Sequence, residues 1–142
     1  MIRKARIEDL SRIAEIEIFN YRLYFYPIFK NDEYYFCELQ VTKLIDKYDL
    51  NNIYVYDDGV VKGFIQVNNK EVKKLFVEPV LHNQKIGSKL LNYAIDFMDV
   101  DHLWALEKNS KAIAFYKKNG FELTDYKKYE EDTTEYLIQL RR

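Results

Sequence analysis

Apolar positions recur with a period of two along some stretches of this chain and with a period of three to four along others. Ile2 to Ile7 reads as a short first strand. Helical spacing follows through Leu10, Ile13, Ala14, Ile16 and Glu17, ending near Asn20, and a second helix is predicted from Glu33 to Tyr48. Strands are predicted at Ile53–Tyr56, Val61–Val67 and Val72–Val77, joined by Asp57-Asp58-Gly59, a strong hairpin signal, and by a second turn at Asn68-Asn69-Lys70. Gly87 to Met98 is helical, with Leu90, Leu91, Ala94, Ile95 and Met98 on one face. His102–Leu106 reads as a strand, Ser110–Asn119 as a helix stopped by Gly120, and Phe121–Tyr129 with Thr134–Leu140 as a closing hairpin. No repeat, linker or low-complexity tract interrupts the order, so residues 1–142 are expected to form a single domain.

Composition narrows the function classes. Hydrophobic residues make up 48% and charged residues 32%, a balance that fits neither disorder nor a membrane protein. No apolar run nears the ~20 residues of a spanning helix, and the start of the chain lacks a secretory leader's apolar region. The net charge of −1 disfavours broad nucleic-acid binding, while leaving room for a small basic anion site. The lone Cys37 has no intramolecular disulfide partner, which suits the cytoplasm. Its spacing with Val41, Leu44, Ile45 and Tyr48 predicts an inert thiol on a buried helix face. Two histidines and one cysteine in scattered positions offer no metal site.

Two segments carry candidate chemistry. Gln84-Lys85-Ile86-Gly87-Ser88-Lys89-Leu90-Leu91 is a loop opening a helix, and helix starts present unpartnered N–H groups and partial positive charge. Amides from Gln84 to Ser88 are thus placed to cradle a pyrophosphate. A dinucleotide fingerprint fits poorly, since it needs three glycines and this loop has one. Farther on, Leu103-Trp104-Ala105-Leu106-Glu107-Lys108-Asn109-Ser110 leads from strand to helix, and Tyr116 follows Asn109 by two helical turns, with Gly120-Phe121 beyond it.

In this order the two segments resemble the acetyl-CoA-binding half of the GNAT family of N-acetyltransferases, most of all its small bacterial members, and the order of elements matches over essentially the whole chain. The resemblance implies an α/β fold with a mixed central sheet of about seven strands and four helices. Strands four and five would run parallel and splay apart, with Gly87–Met98 as their crossover. It implies acetyl-CoA as cosubstrate, bound between those strands by His82, Asn83, Gln84, Lys85, Ile86, Gly87 and Ser88, by Asn109, and by the backbone N–H groups of Phe76 and Val77, which would polarise the acetyl carbonyl. The family's Arg/Gln-x-x-Gly-x-Gly/Ala pattern reads His82-Asn83-Gln84-Lys85-Ile86-Gly87 here, so His82 and Lys85 depart from it and Gly87 keeps it. Tyr116 matches the family's general acid, which protonates the departing thiolate. An unperturbed phenol near ~10 and thiol near ~8.5 leave that proton available at neutral pH.

Many relatives carry a glutamate where this chain has Trp104. Glu78, just past strand four, is a candidate base, with a plain surface charge as the simpler reading. His102 is expected to have no catalytic role. Nine of the 23 aromatic residues fall between Phe19 and Phe36. In the family that region borders the acceptor cleft, where exposed rings near Glu15, Glu17, Asp32 and Glu33 would suit a cation. Glu130, Glu131, Asp132 and Glu135 add negative potential. The resulting expectation is a cytoplasmic acetyltransferase acting on a primary amine, whether a small molecule, a protein lysine or an N-terminus, by direct attack on the thioester. It would be a monomer or homodimer without metal, membrane or nucleic-acid partners. The alternative is a non-catalytic acyl-CoA-binding regulatory module on the same fold.

Overall fold

The computed structural model describes residues 1–82 and 84–142. Asn83, one of the expected phosphate-loop positions, lies outside the described residues. A seven-stranded sheet organises the chain: β1 (Ile2–Lys4), β2 (Ile53–Asp57), β3 (Val61–Asn68), β4 (Glu71–Val77), β5 (His102–Leu106), β6 (Glu122–Tyr129) and β7 (Tyr136–Arg141). Their spatial order is β1-β2-β3-β4-β5-β7-β6. Every pairing is antiparallel except β4 with β5. The β3–β4 turn has Asn69 and Lys70 both at positive φ (47° and 68°), the backbone twist that a two-residue hairpin requires.

The parallel pair joins only Glu71 to His102 and Val72 to Leu103. Beyond it β4 stays on β3 while β5 follows β7 through five paired residues, and a gap opens along the rest of β4. The predicted mixed sheet with splayed parallel strands is therefore present. Helix α4 (Ile86–Met98) makes the crossover and buries Leu90, Leu91 and Ala94 against one face of the sheet, with Ile65, Leu103 and Leu140 in the same cluster. Helix α1 (Leu10–Asn20) covers the other face through Ile13 and Ile16, packed with Val55 and Phe64.

Between the first helix and β2 the chain departs from expectation. Helix α1 ends at Asn20 as expected, but the helical path does not. It passes into a π-helical turn, Tyr21–Phe25, and then α2 (Tyr26–Phe29), where Pro27 sits in the first turn and its missing N–H costs little. The single helix expected from Glu33 to Tyr48 is a π-helical turn at Tyr34–Glu38, extended residues at Leu39 and Gln40, and α3 (Val41–Ile45). Arg22 donates to the Tyr35 and Leu39 carbonyls freed by this break, at 2.9 and 3.5 Å. The wide turn shifts the phase of the buried face, so Tyr35 and Leu39 point inward. Cys37, expected on that buried face, is exposed.

Candidate active site

The gap between β4 and β5 opens into a pocket of about 530 Å³, walled by the end of α1, the start of α4 and helix α5 (Ser110–Lys118). Its backbone edge follows from strand geometry. Successive strand residues present N–H and C=O to opposite edges. The Glu78 N–H donates to the Lys62 carbonyl at 2.9 Å, and Phe76 pairs with Phe64 in the same register. Glu78 and Phe76 thus face β3, whereas Val77 and Leu75 face the gap. The expectation that adjacent Phe76 and Val77 both offer free N–H groups is corrected on this ground: only Val77 of the two lies on the open edge.

The Val77 carbonyl, left without a β5 donor, receives two side chains. Asn20 Nδ2 lies 2.9 Å away and His82 Nε2 lies 3.0 Å away. Asn20 is buried, and its amide donates also to the Ile16 carbonyl at 2.8 Å. Because a carbonyl only accepts, His82 carries its hydrogen on Nε2, which leaves Nδ1 to accept from the Tyr24 hydroxyl at 3.4 Å. The two rings stack with centroids 5.7 Å apart. Burial lowers the His82 pKa below its usual 6.5, with the Lys111 charge adding to the effect. Expected among the cofactor-binding loop residues, His82 is half-buried and tied to the strand.

Among the remaining expected cofactor positions, Lys85, Ile86, Gly87 and Ser88 line the pocket. Lys85 precedes α4 in the left-handed region at φ 64°, a conformation glycine adopts freely and lysine does not. This backbone requirement accounts for the glycine in the family pattern at that place. Gly87 has a packing role in addition to any closeness to phosphate: a Cβ there would meet the Phe115 ring at 3.3 Å. Gln84 does not line the pocket. Ile86 is buried in the core cluster, so its contribution is confined to its backbone.

Asn109 caps α5, its Oδ1 accepting from the Ala112 N–H at 3.2 Å, and it also lines the pocket. Tyr116 stands two turns on, with its ring edge-on to Phe115 and Phe121. The helix ends in a Schellman arrangement. Phe121 N–H reaches the Tyr116 carbonyl at 3.0 Å and Gly120 N–H reaches that of Lys117 at 3.2 Å, with Gly120 at φ 95°. The Gly120-Phe121 signal thus fixes the ring that follows Asn109 by two turns. Burial pushes the Tyr116 phenol well above its ordinary value, so it stays protonated. Among the described residues, no protein group bonds its hydroxyl.

Asn20, Tyr24, Lys111 and Lys118 also line the pocket, and sequence reasoning did not single them out. Lys111 left a trace: it stands in the first turn of α5, where the helix dipole disfavours a cation. Its ammonium sits 5.0 Å over the Tyr24 ring. Lys118, in the last turn, is where the dipole favours a cation and gave no signal.

Elsewhere the expected acceptor-side charges are largely spoken for. Glu78 is held 2.8 Å from Arg12 Nη2. Glu17, expected among exposed rings, is fully buried, with Lys74 Nζ at 2.7 Å and the Tyr48 hydroxyl at 2.9 Å. Trp104 lies under the Lys128 ammonium at 4.2 Å. His102 Nδ1 is 2.6 Å from Asp101. Among the described residues no cluster of three potential ligands is placed for a metal, and no helix is long and apolar enough to cross a membrane.

Comparison with known proteins gives a consistent picture. Residues 49–123, more than half of the chain, match the family described as Acetyltransferase (GNAT) domain. A spermidine N(1)-acetyltransferase of Thermoplasma acidophilum is 27% identical over 143 residues, spanning 87% of this chain and 89% of the relative. The peptidyl-lysine N-acetyltransferase YjaB of Salmonella typhimurium is 31% identical over 70 residues, 49% of this chain and 48% of the relative. The crystal structure of the PaiA N-acetyltransferase of Thermoplasma acidophilum in complex with coenzyme A superposes with a TM-score of 0.71 at 24% identity, covering 100% of this chain and 98% of that one. The likeness is not confined to bacterial members.

Proposed function

Since the chain belongs to the acetyltransferase (GNAT) domain family and is an acetyl-CoA-dependent N-acetyltransferase, we propose that acetyl-CoA lies in the β4–β5 gap and is attacked directly by a primary amine. The observation that carries this reading is the open Val77 edge beside Tyr116 in one pocket, with Lys85, Lys111 and Lys118 around it. The Val77 N–H is placed to donate to a thioester carbonyl, and such a donor gains strength as charge develops on that oxygen. The lysines and the first-turn amides of α4 offer positive charge to a pyrophosphate. Asn109, whose Oδ1 is spent on the cap, keeps its Nδ2 for the pantetheine arm.

Tyr116 is the proposed general acid. Its raised pKa keeps the proton in place through neutral and moderately alkaline pH, ready for the sulfur as the C–S bond breaks. No side chain is assigned as base. Glu78 would first have to leave Arg12, and a water relay to solvent serves an amine that reaches the cleft. The acceptor is an amine of the kind the named relatives take, spermidine or a peptide lysine.

Acetyl-CoA binding to the folded protein alone raises its melting temperature, by about 2.7 kcal/mol of stabilisation at ~100-fold over Kd. Thiol release with spermidine, or with a lysine peptide, then separates an enzyme from a module that merely binds. No thermal shift at millimolar acetyl-CoA, in protein freed of CoA, overturns the proposal.

A further inference from the structure

The gap-facing edge of β4 runs out of strand partners at Val72, yet it is not left bare. A buried carbonyl without a donor is costly, so native structures satisfy nearly all of them. At Val77 this is done from outside the sheet, by one residue from α1 and one from the loop before α4. Asn20 is committed to the task. Both of its amide hydrogens are spent on carbonyls, one of its own helix and one of Val77. His82 is held to the same oxygen by its tautomer and by the Tyr24 ring stacked on it.

The consequence is a division of the Val77 edge. The peptide plane after Val77 is fixed at both ends, since its oxygen takes Asn20 and His82 while its N–H, that of Glu78, reaches Lys62. An incoming group finds that oxygen already satisfied, and the neighbouring Val77 N–H open. Such an edge favours a ligand that brings an acceptor and offers little to one that brings a donor. We infer that Asn20 and His82 are positioning residues, which stand in for the missing β5 donors on the Val77 carbonyl and so aim the Val77 N–H at the acetyl oxygen. This rests on the reading that acetyl-CoA occupies the gap. It goes beyond that reading in giving two side chains, neither touching the reacting atoms, a share in the rate.

Asn20→Asp tests it most directly, because it keeps size and removes both donors, setting oxygen against oxygen. His82→Phe keeps the ring stack on Tyr24 and removes the other donor, and His82→Gln restores an N–H. Three readouts are needed: kcat for acetyl transfer, Kd for CoA, which lacks the acetyl oxygen, and the Val77 amide resonance in labelled protein with CoA or acetyl-CoA. Asn20→Asp is expected to lower kcat about 10- to 100-fold, somewhat less than outright loss of an oxyanion donor. Its Kd for CoA stays within about threefold on the same reasoning, because CoA presents no acetyl oxygen to that N–H. His82→Phe shows a smaller loss, and His82→Gln recovers most of it. In wild type the Val77 amide shifts more with acetyl-CoA than with CoA, and in the double variant Asn20→Asp/His82→Phe this difference collapses. Should Asn20→Asp not fold, the His82 pair and its amide shifts decide alone. Wild-type kcat in the folded variants, or CoA affinity lost in step with kcat, overturns the inference while leaving the enzyme reading intact. A wild-type protein that neither binds nor consumes acetyl-CoA overturns both.

Discussion

Lys74 Nζ on β4 lies 2.7 Å from Oε2 of Glu17, a carboxylate of α1 with no exposure to solvent. The ammonium also sits 5.4 Å over the Tyr48 ring, and the Tyr48 hydroxyl completes the carboxylate's partners. This pair ties α1 to the strand that forms the gap. Lys74→Ala leaves a buried carboxylate without its cation and is expected to cost about 3–5 kcal/mol at neutral pH. Urea unfolding of variant and wild type at neutral pH checks this. Lys74→Met keeps the apolar stem and should lose nearly as much; full recovery in that variant would mean that packing, not charge, is at stake.

Lys85 holds a left-handed conformation at φ 64°. Lys85→Gly should raise stability by roughly 1 kcal/mol, read as an upward shift of the melting temperature. The same change removes an ammonium from the pocket, so CoA binding should weaken and depend less on salt. Lys85→Ala should lose the affinity without gaining the stability. Equal affinity in all three proteins would place the ammonium in open solvent.

Tyr116→Phe keeps the ring against Phe121 and removes the proton donor. CoA affinity should hold while kcat falls ~10²–10⁴-fold, the range of general-acid catalysis. The loss should shrink with a thioester whose thiol has a low pKa. Because burial raises the phenol, any fall in wild-type rate below pH 10 must come from another group. Gly120→Ala, strained at φ 95°, should cost about 1–2 kcal/mol and disturb the ring through Phe121. Unchanged kcat in Tyr116→Phe, once chemistry limits the rate, removes the phenol from the mechanism.

His82 titrates below its ordinary 6.5 because burial disfavours the cation. A depressed folded-state pKa stabilises above the unfolded value, so this contribution is complete above about 6.5 and fades as pH falls toward the folded midpoint. The His82 ring resonance should give a midpoint under 6.5. His82→Gln should flatten the stability profile in that acid window, and a midpoint at or above 6.5 would contradict the buried placement.

Local chemistry made the Asn109–Tyr116 segment readable in the sequence, since a cap, a helix and a glycine stop are written within a dozen residues. The β3–β4 hairpin was legible for the same reason. Glu17 was placed on the right helix face but not recognised as buried, because its partners Tyr48 and Lys74 lie 31 and 57 residues away. Asn20 was hidden likewise, being 57 residues from the Val77 carbonyl it serves. Cys37 was misplaced because periodicity assumes an unbroken 3.6-residue helix, and the π-helical turn at Tyr34–Glu38 shifts the phase. The two-donor expectation at Phe76 and Val77 failed on a rule already available, the alternation of strand edges.

The place of β7 has a consequence for assembly. This strand, the last of the seven in chain order, enters between β5 and β6, and without it β5 is joined to the sheet by two residue pairs alone. Strands β1 through β4 can pair with one another in its absence, but they make no rigid opposite wall for the pocket. Competence to hold a ligand should therefore arrive abruptly, once β7 has entered, and contacts spanning so much of the sequence make that closure slow relative to the hairpins.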